Sequence, residues 1–251
     1  MERAALRETI LNNPQFFARI LRFNLPASSA FTPEHLTEQA AELLRSGFLG
    51  LLETSPRGAA LVRGYLFKNS LPAPIKGEQF FADFQEERRR LALLTPKELQ
   101  DLTRLFGAGV YAPQIAKTIK RDEVLALRDF LGQAYNYALL RGRFQMGQVR
   151  GLFKQTDQPA EGGAAVSLSE RIVAAGLDAL RVCMADWPQN LQDRLRPALP
   201  APALKRILPQ TSVFSWPERI EKKPENLQST WLSLKKILLQ ELTPECHPCF
   251  A

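Results

Sequence analysis

The tail of the chain carries a motif with the spacing of a reactive or metal-binding site. Cys246 and Cys249 enclose His247 in a C-x-x-C arrangement, which is typical of a redox pair or of half a zinc site. A redox pair needs a helix after the first thiol, and too few residues follow here to form one. A structural zinc needs four ligands, so a dimer or the distant His35 would have to complete the set. We expect the tail to fold back on the core and to bind no metal.

Catalytic signatures are missing from the sequence. Its two histidines limit acid–base and metal chemistry. The sequence contains no G-x-S-x-G, no G-K-[ST] and no H-E-x-x-H. The glycines Gly107 and Gly109 lie between helical patterns, which indicates a turn and not a nucleotide-binding loop. We expect a protein without enzymatic activity, cofactor or small-molecule substrate.

Arginines are concentrated in two stretches, at Arg88, Arg89 and Arg90 and at Arg141 and Arg143. The formal net charge of +7 agrees with two kinds of partner. Clustered guanidinium groups bind the phosphates of nucleic acids, and they also meet acidic protein surfaces. Aromatic residues are not regularly interleaved, as they are in single-strand binders. We therefore take these five arginines as a candidate partner interface, with nucleic-acid binding as the alternative.

The composition is that of a globular protein. Of 251 residues, 45% are hydrophobic and 24% are charged, both ordinary values. The odd, low number of three cysteines favours a reducing compartment. No apolar run approaches the roughly 18 residues of a membrane-spanning helix, and the first residues lack the apolar stretch of a secretory signal. We expect a cytoplasmic protein.

Apolar residues recur mainly at helical spacing. Thr95 and Pro96 are typical of a helix start. Ser167 and Glu170 have the spacing of a capping box, and residues 224–242 carry a long apolar stripe. Because no alternating pattern exceeds about four residues, the sequence predicts an all-α fold.

Three further boundaries are predicted from local signals. Thr32 is expected to open a helix whose apolar stripe continues to Glu53. Residues 79–94 are expected to be helical, with their phenylalanines facing inward. Gly107 and Gly109 are expected to interrupt the helix that starts at Pro96.

The predicted organisation is a single compact multi-helix domain, or two helical lobes. Residues 154–166 are polar and rich in glycine, which is typical of an exposed loop. Residues 1–153 would then form an N-terminal lobe. Residues 167–251 would form a C-terminal lobe that packs on it.

Three stretches carry apolar motifs that together resemble one protein family. They are R-F-N-L-P-A at residues 22–27, the helical middle at residues 99–137 with L-F-G-A-G-V-Y-A-P-Q-I-A-K-T-I, and residues 167–250, which end in T-P-E-C-H-P-C-F. These stretches resemble the SctK/YscK family, the small accessory proteins of bacterial type III secretion injectisomes.

The resemblance implies a non-catalytic adaptor in protein transport. Such proteins belong to the cytosolic sorting platform, which lies against the inner membrane beneath the injectisome. They link the cytoplasmic forkhead-associated-like domain of the inner-membrane ring protein SctD to the pod protein SctQ. SctQ leads in turn through SctL to the ATPase. A basic helical nucleic-acid-binding protein is the alternative.

Overall fold

Helices make up the regular structure of the protein. The computed structural model describes residue 8 and residues 12–26, 31, 33, 36–70, 81–154, 167–195 and 216–250. The α-helices of these ranges are α1 (Pro14–Asn24), α2 (Glu38–Arg45), α3 (Phe48–Leu52), α4 (Pro56–Lys68), α5 (Pro96–Val110), α6 (Ala112–Lys117), α7 (Arg121–Leu131), α8 (Gln133–Tyr137), α9 (Arg143–Gln145), α10 (Arg150–Phe153), α11 (Leu168–Met184), α12 (Gln189–Leu195) and α13 (Pro224–Gln240). Glu87–Leu93 and Pro244–Cys249 are 3-10 helices, and Ala138–Gly142 is a π-helical turn.

The all-α prediction is confirmed. Within the described ranges, the β pairing is limited to one isolated bridge between Leu36 and Ser70. None of the helices in these ranges combines the length and apolar character needed to cross a lipid bilayer.

Two helix starts follow the capping signals in the sequence. Before α4, the Ser55 hydroxyl accepts a hydrogen bond from the Gly58 amide at 3.1 Å. Before α11, the Ser167 hydroxyl accepts from the Glu170 amide at 3.2 Å, and the Glu170 carboxylate accepts from the Ser167 amide at 2.9 Å. The predicted capping box is therefore confirmed, and it satisfies amide groups that the first helical turn leaves unpaired.

The helix predicted from Thr32 to Glu53 is wrong in its extent. Helix α2 begins at Glu38, after the bridge residue Leu36. Gly47 then adopts a φ of 74°, a left-handed conformation that divides the stretch into α2 and α3. Residues 32, 34 and 35 lie outside the described ranges.

The helix predicted over residues 79–94 is also wrong for its described first half. Residues 81–86 are not helical, and a 3-10 helix follows. The side chain of Asn24 binds this segment: the Phe81 amide donates to Asn24 Oδ1 at 2.6 Å, and Asn24 Nδ2 donates to the Phe81 carbonyl at 2.9 Å. Phe81 and Phe84 are buried as expected. Residues 79 and 80 lie outside the described ranges.

The expected break at Gly107 and Gly109 does not occur, because α5 continues to Val110. These glycines allow close packing instead of a turn. A Cβ atom on Gly107 would lie less than 3.0 Å from the backbone of Ile172 in α11, and one on Gly176 would lie equally close to the backbone of Thr103 in α5. The interpretation of Gly107 as a turn residue was therefore wrong.

The chain forms two compact units. The first comprises residues 1–97 and 186–213, together with residue 251, and the second comprises residues 98–185 and 214–250. Helices α2 to α4 of the first unit bury an apolar cluster around Leu66 and Val62. The second unit buries Phe106 against Phe153, with their ring centroids 5.1 Å apart.

The predicted lobe boundary stays a prediction. Residues 155–166 of the loop predicted at 154–166 lie outside the described ranges. The helices before and after this stretch, α10 and α11, belong to the same unit.

Candidate interaction surface

Two of the three consecutive arginines in the first unit are paired with carboxylates. Arg88 donates two hydrogen bonds to Asp186, at 3.3 and 3.0 Å, and also pairs with Glu86. Arg89 pairs with Asp83 and, at 3.3 Å, with Glu86. Both side chains are less than one-fifth exposed. These acidic neighbours offset most of the positive charge that the sequence suggests at this position.

The third arginine of the stretch, Arg90, lies in the core. It is 3% exposed, its Nε donates to the Phe84 carbonyl at 3.1 Å, and its guanidinium lies 5.2 Å from the centroid of the Phe16 ring. Contact with an aromatic face suits a desolvated guanidinium. A side chain buried in this way contributes packing and offers no contact to a partner.

The other two candidate arginines lie in the second unit beside exposed apolar side chains. Leu140 is 73% exposed and Phe144 is 77% exposed, although both are large and hydrophobic. Arg141 and Arg143, from the same short segment, are exposed as well. We call Leu140, Arg141, Arg143 and Phe144 the 140–144 surface. Among the five candidate arginines, these two therefore share an apolar surface, whereas Arg88 to Arg90 do not.

Side-chain hydrogen bonds hold the 140–144 surface in place. Arg141 donates to Glu241 at 2.8 Å. Gln145, directly after the surface, donates to Gln240 at the end of α13 at 3.0 Å. A surface fixed by its own neighbours loses little conformational freedom when it binds a partner.

The π-helical turn brings this segment against α5. A Cβ atom on Gly142 would lie 2.8 Å from the Gly109 Cα, so the backbones meet at two glycines. Such π-helical insertions are frequent at functional positions.

A cavity of about 230 Å³ with both polar and apolar walls adjoins the 140–144 surface, and Leu140, Arg141 and Tyr137 contribute to its lining. The Tyr137 hydroxyl donates to Gln145 at 3.1 Å. Burial of the ring, followed by the negative charge of Glu241, raises the pKa of the Tyr137 phenol. The phenol therefore stays protonated at neutral pH and acts as a hydrogen-bond donor.

Alkaline pH is expected to expose the effect of Tyr137 on stability. The folded state retains the phenolic proton above the ordinary pKa of 10.0, whereas the unfolded state releases it. The free energy of unfolding should therefore fall as pH rises above about 10, by up to about 1.4 kcal/mol per pH unit from this residue. A Tyr137→Phe variant should show a shallower decline in urea unfolding between pH 9 and 11. Equal slopes for the two proteins would contradict this assignment.

The cysteine-containing tail packs into the second unit. Cys246 and Cys249 are buried, and the Cys246 thiol donates to the Thr243 carbonyl at 3.1 Å. Phe250 is buried near Trp231, with ring centroids 6.2 Å apart. The tail thus lies against the core, as expected from the sequence. In the part of the chain that the structure describes, no three histidine, cysteine or acidic side chains are grouped as metal ligands would be.

Sequence reasoning missed Leu140 and Phe144. These two residues lie four positions apart, directly before Arg141 and directly after Arg143. The sequence signal that could have identified them as interface residues is the pair of large apolar side chains one helical turn apart, next to arginines.

Comparison of the chain with protein-family models, with curated proteins and with solved structures finds no match. The resemblance to the SctK/YscK family therefore depends on the three sequence stretches alone.

Proposed function

We propose that the protein is a non-catalytic adaptor of a bacterial type III secretion injectisome. It joins the cytoplasmic domain of the inner-membrane ring protein to the pod protein of the sorting platform, at the cytosolic face of the inner membrane. The observation that carries the proposal is the 140–144 surface, considered together with the resemblance of residues 99–137 and 167–250 to the SctK/YscK family.

The 140–144 surface has the chemistry of a protein-binding site. Aromatic side chains and arginine are enriched at the centres of protein interfaces, where they supply most of the binding energy. Leu140 and Phe144 together expose apolar area that burial against a partner would remove from water. Nucleic-acid binding needs clustered, available positive charge instead. The carboxylates that pair with Arg88 and Arg89 weaken that alternative.

The family-like stretches supply the helices around this surface. Residues 99–137 form most of α5 together with α6, α7 and α8, and residues 167–250 include α11 and α13. Gln240 and Glu241, which hold the 140–144 surface, belong to the second of these stretches. This arrangement supports a role in which a helical scaffold presents the 140–144 surface to a partner.

Deletion of the gene in its native bacterium tests the proposal. Secretion through the injectisome should be lost while the membrane rings still assemble, because the adaptor acts below the rings. Wild-type protein should restore secretion, and a chain with both Leu140→Ser and Phe144→Ser should not. Normal secretion by the deletion strain would refute the proposed function.

A further inference from the structure

Helices α3 and α4 of the first unit expose large apolar side chains. Phe48, Leu51 and Leu52 are 50%, 70% and 43% exposed, and their spacing places them on one face of α3. The start of α4 packs closely on this helix, because a Cβ atom on Gly58 would lie less than 3.0 Å from the Leu52 carbonyl. Leu61, one turn after Gly58, is 68% exposed. We call Phe48, Leu51, Leu52 and Leu61 the α3–α4 patch.

The opposite faces of the same two helices hold the patch in place. Leu49 of α3 and Val62 and Leu66 of α4 are at most 4% exposed and belong to one buried apolar cluster. A partner of the patch therefore meets a preformed surface, and little conformational freedom is lost on binding.

Hydroxyl groups at both ends of α3 already bind the local backbone. The Ser46 hydroxyl donates to the Leu43 carbonyl at 2.8 Å and accepts from the Phe48 amide at 3.3 Å. The Thr54 hydroxyl donates to the Leu51 carbonyl at 3.0 Å. Protein partners use hydrogen bonds across an interface, whereas the apolar part of a lipid bilayer offers none. Polar groups that are satisfied within the chain therefore suit contact with lipid.

Basic side chains flank the patch. Between the end of α2 and the end of α4, the chain carries four basic residues, Arg45, Arg57, Arg63 and Lys68, and one acidic residue, Glu53. Arg45, Arg57 and Lys68 are exposed. Within the described ranges, none of the four basic side chains is paired with a carboxylate. Exposed cations beside an apolar surface are attracted to the negative surface potential of anionic lipids.

We propose that the α3–α4 patch binds the surface of a membrane that contains anionic lipids. Its four apolar side chains enter the boundary between headgroups and acyl chains, and Arg45, Arg57 and Lys68 lie near the lipid phosphates. Apolar burial and electrostatic attraction act together in interfacial binding of this kind. The charge complementarity and the internally bonded hydroxyls favour this occupant over a protein. The proposal rests on neither the adaptor function nor the 140–144 surface.

Sedimentation with lipid vesicles tests this proposal on the full chain. One set of vesicles is phosphatidylcholine alone, and the other contains about 30% phosphatidylglycerol to supply negative charge. We expect the anionic vesicles to bind the protein at least about tenfold more tightly. Binding should weaken as salt rises from about 0.1 M to about 1 M, because the screening length falls from about 10 Å to about 3 Å.

Paired variants separate the apolar patch from the net charge of the protein. Leu51→Ser combined with Leu61→Ser removes two apolar side chains that are 70% and 68% exposed, and it should weaken binding to the anionic vesicles about tenfold or more. Ile119→Ser combined with Leu125→Ser is the matched control. These two side chains are 91% and 48% exposed and lie in the second unit, so binding should stay at the wild-type level.

Two results would overturn the proposal. If the Leu51 and Leu61 double variant binds like the wild-type protein, net charge alone attracts the chain to the vesicles. If the wild-type protein does not bind the anionic vesicles, the patch does not contact lipid, as a surface that serves a protein partner would predict. Equal thermal unfolding midpoints for the wild-type protein and both double variants ensure that folded proteins are compared.

Discussion

Replacing Gly107 or Gly176 by alanine should destabilise the protein by about 3 kcal/mol, because the added methyl group would overlap backbone atoms of the opposite helix. The Gly107 substitution meets the Ile172 carbonyl, and the Gly176 substitution meets the Thr103 carbonyl. A side chain could rotate away, whereas these backbone atoms belong to α5 and α11 and move only if the helices separate. Thermal unfolding should shift downward by roughly 6–12 °C for each variant.

Gly64→Ala is the matched control for this prediction. Gly64 lies within α4, and a Cβ atom there would have no neighbour within 4 Å. Alanine at this position should stabilise the protein by about 0.5–1 kcal/mol, because it reduces the freedom of the unfolded chain. If Gly107→Ala unfolds at the same temperature as Gly64→Ala, the close approach of α5 and α11 is refuted.

The second large effect is expected at the 140–144 surface. Leu140→Ser combined with Phe144→Ser should weaken binding of a sorting-platform partner by roughly 100- to 1,000-fold, because the two apolar contacts lie at the centre of the proposed interface. Both side chains are more than 70% exposed, so the free energy of unfolding should change by less than about 0.5 kcal/mol. Titration calorimetry and thermal unfolding of the same preparation measure the two quantities.

Ile119→Ser provides the control for this double variant. Ile119 is 91% exposed and lies in the same unit, so its replacement removes a similar apolar side chain that is not part of the 140–144 surface. Binding should be unaffected. A loss of affinity as large as that of the double variant would mean that general surface hydrophobicity, and not the 140–144 surface, governs association.

Local chemistry explains which parts of the fold could be predicted from sequence. Ser167 marks a helix start because its hydroxyl binds an amide only three residues away, and such a signal is readable in a short stretch. Gly107 was misinterpreted because its neighbour is the backbone of Ile172, 65 positions later in the chain. Asn24 binds Phe81 from 57 positions away, so the pattern around Phe81 could not reveal this contact.

The candidate site likewise combines features visible in a short stretch of sequence with contacts between residues that are distant in sequence. Clustering at Arg88 to Arg90 is visible in the sequence, but the carboxylate of Asp186 lies 98 positions away from Arg88. The number of arginines in a sequence cluster therefore does not show how much of their positive charge is available to a partner. Arg141 and Arg143 were placed in the candidate interface by charge, and the structure adds the exposed Leu140 and Phe144. Leu140 lies within the π-helical turn and Phe144 lies two residues after it, and this turn was not predicted from the sequence.

Simultaneous binding of two partners tests the central claim most directly. Purified protein is mixed at micromolar concentration with the cytoplasmic domain of the ring protein and with the pod protein, and the species are resolved by analytical ultracentrifugation. The proposed function predicts one complex that contains all three chains, with an affinity that depends less on salt than nucleic-acid binding does, because Leu140 and Phe144 add apolar contacts to those of the arginines. The contrary result is a chain that binds neither partner but binds nucleic acid, with an affinity that falls steeply as salt rises.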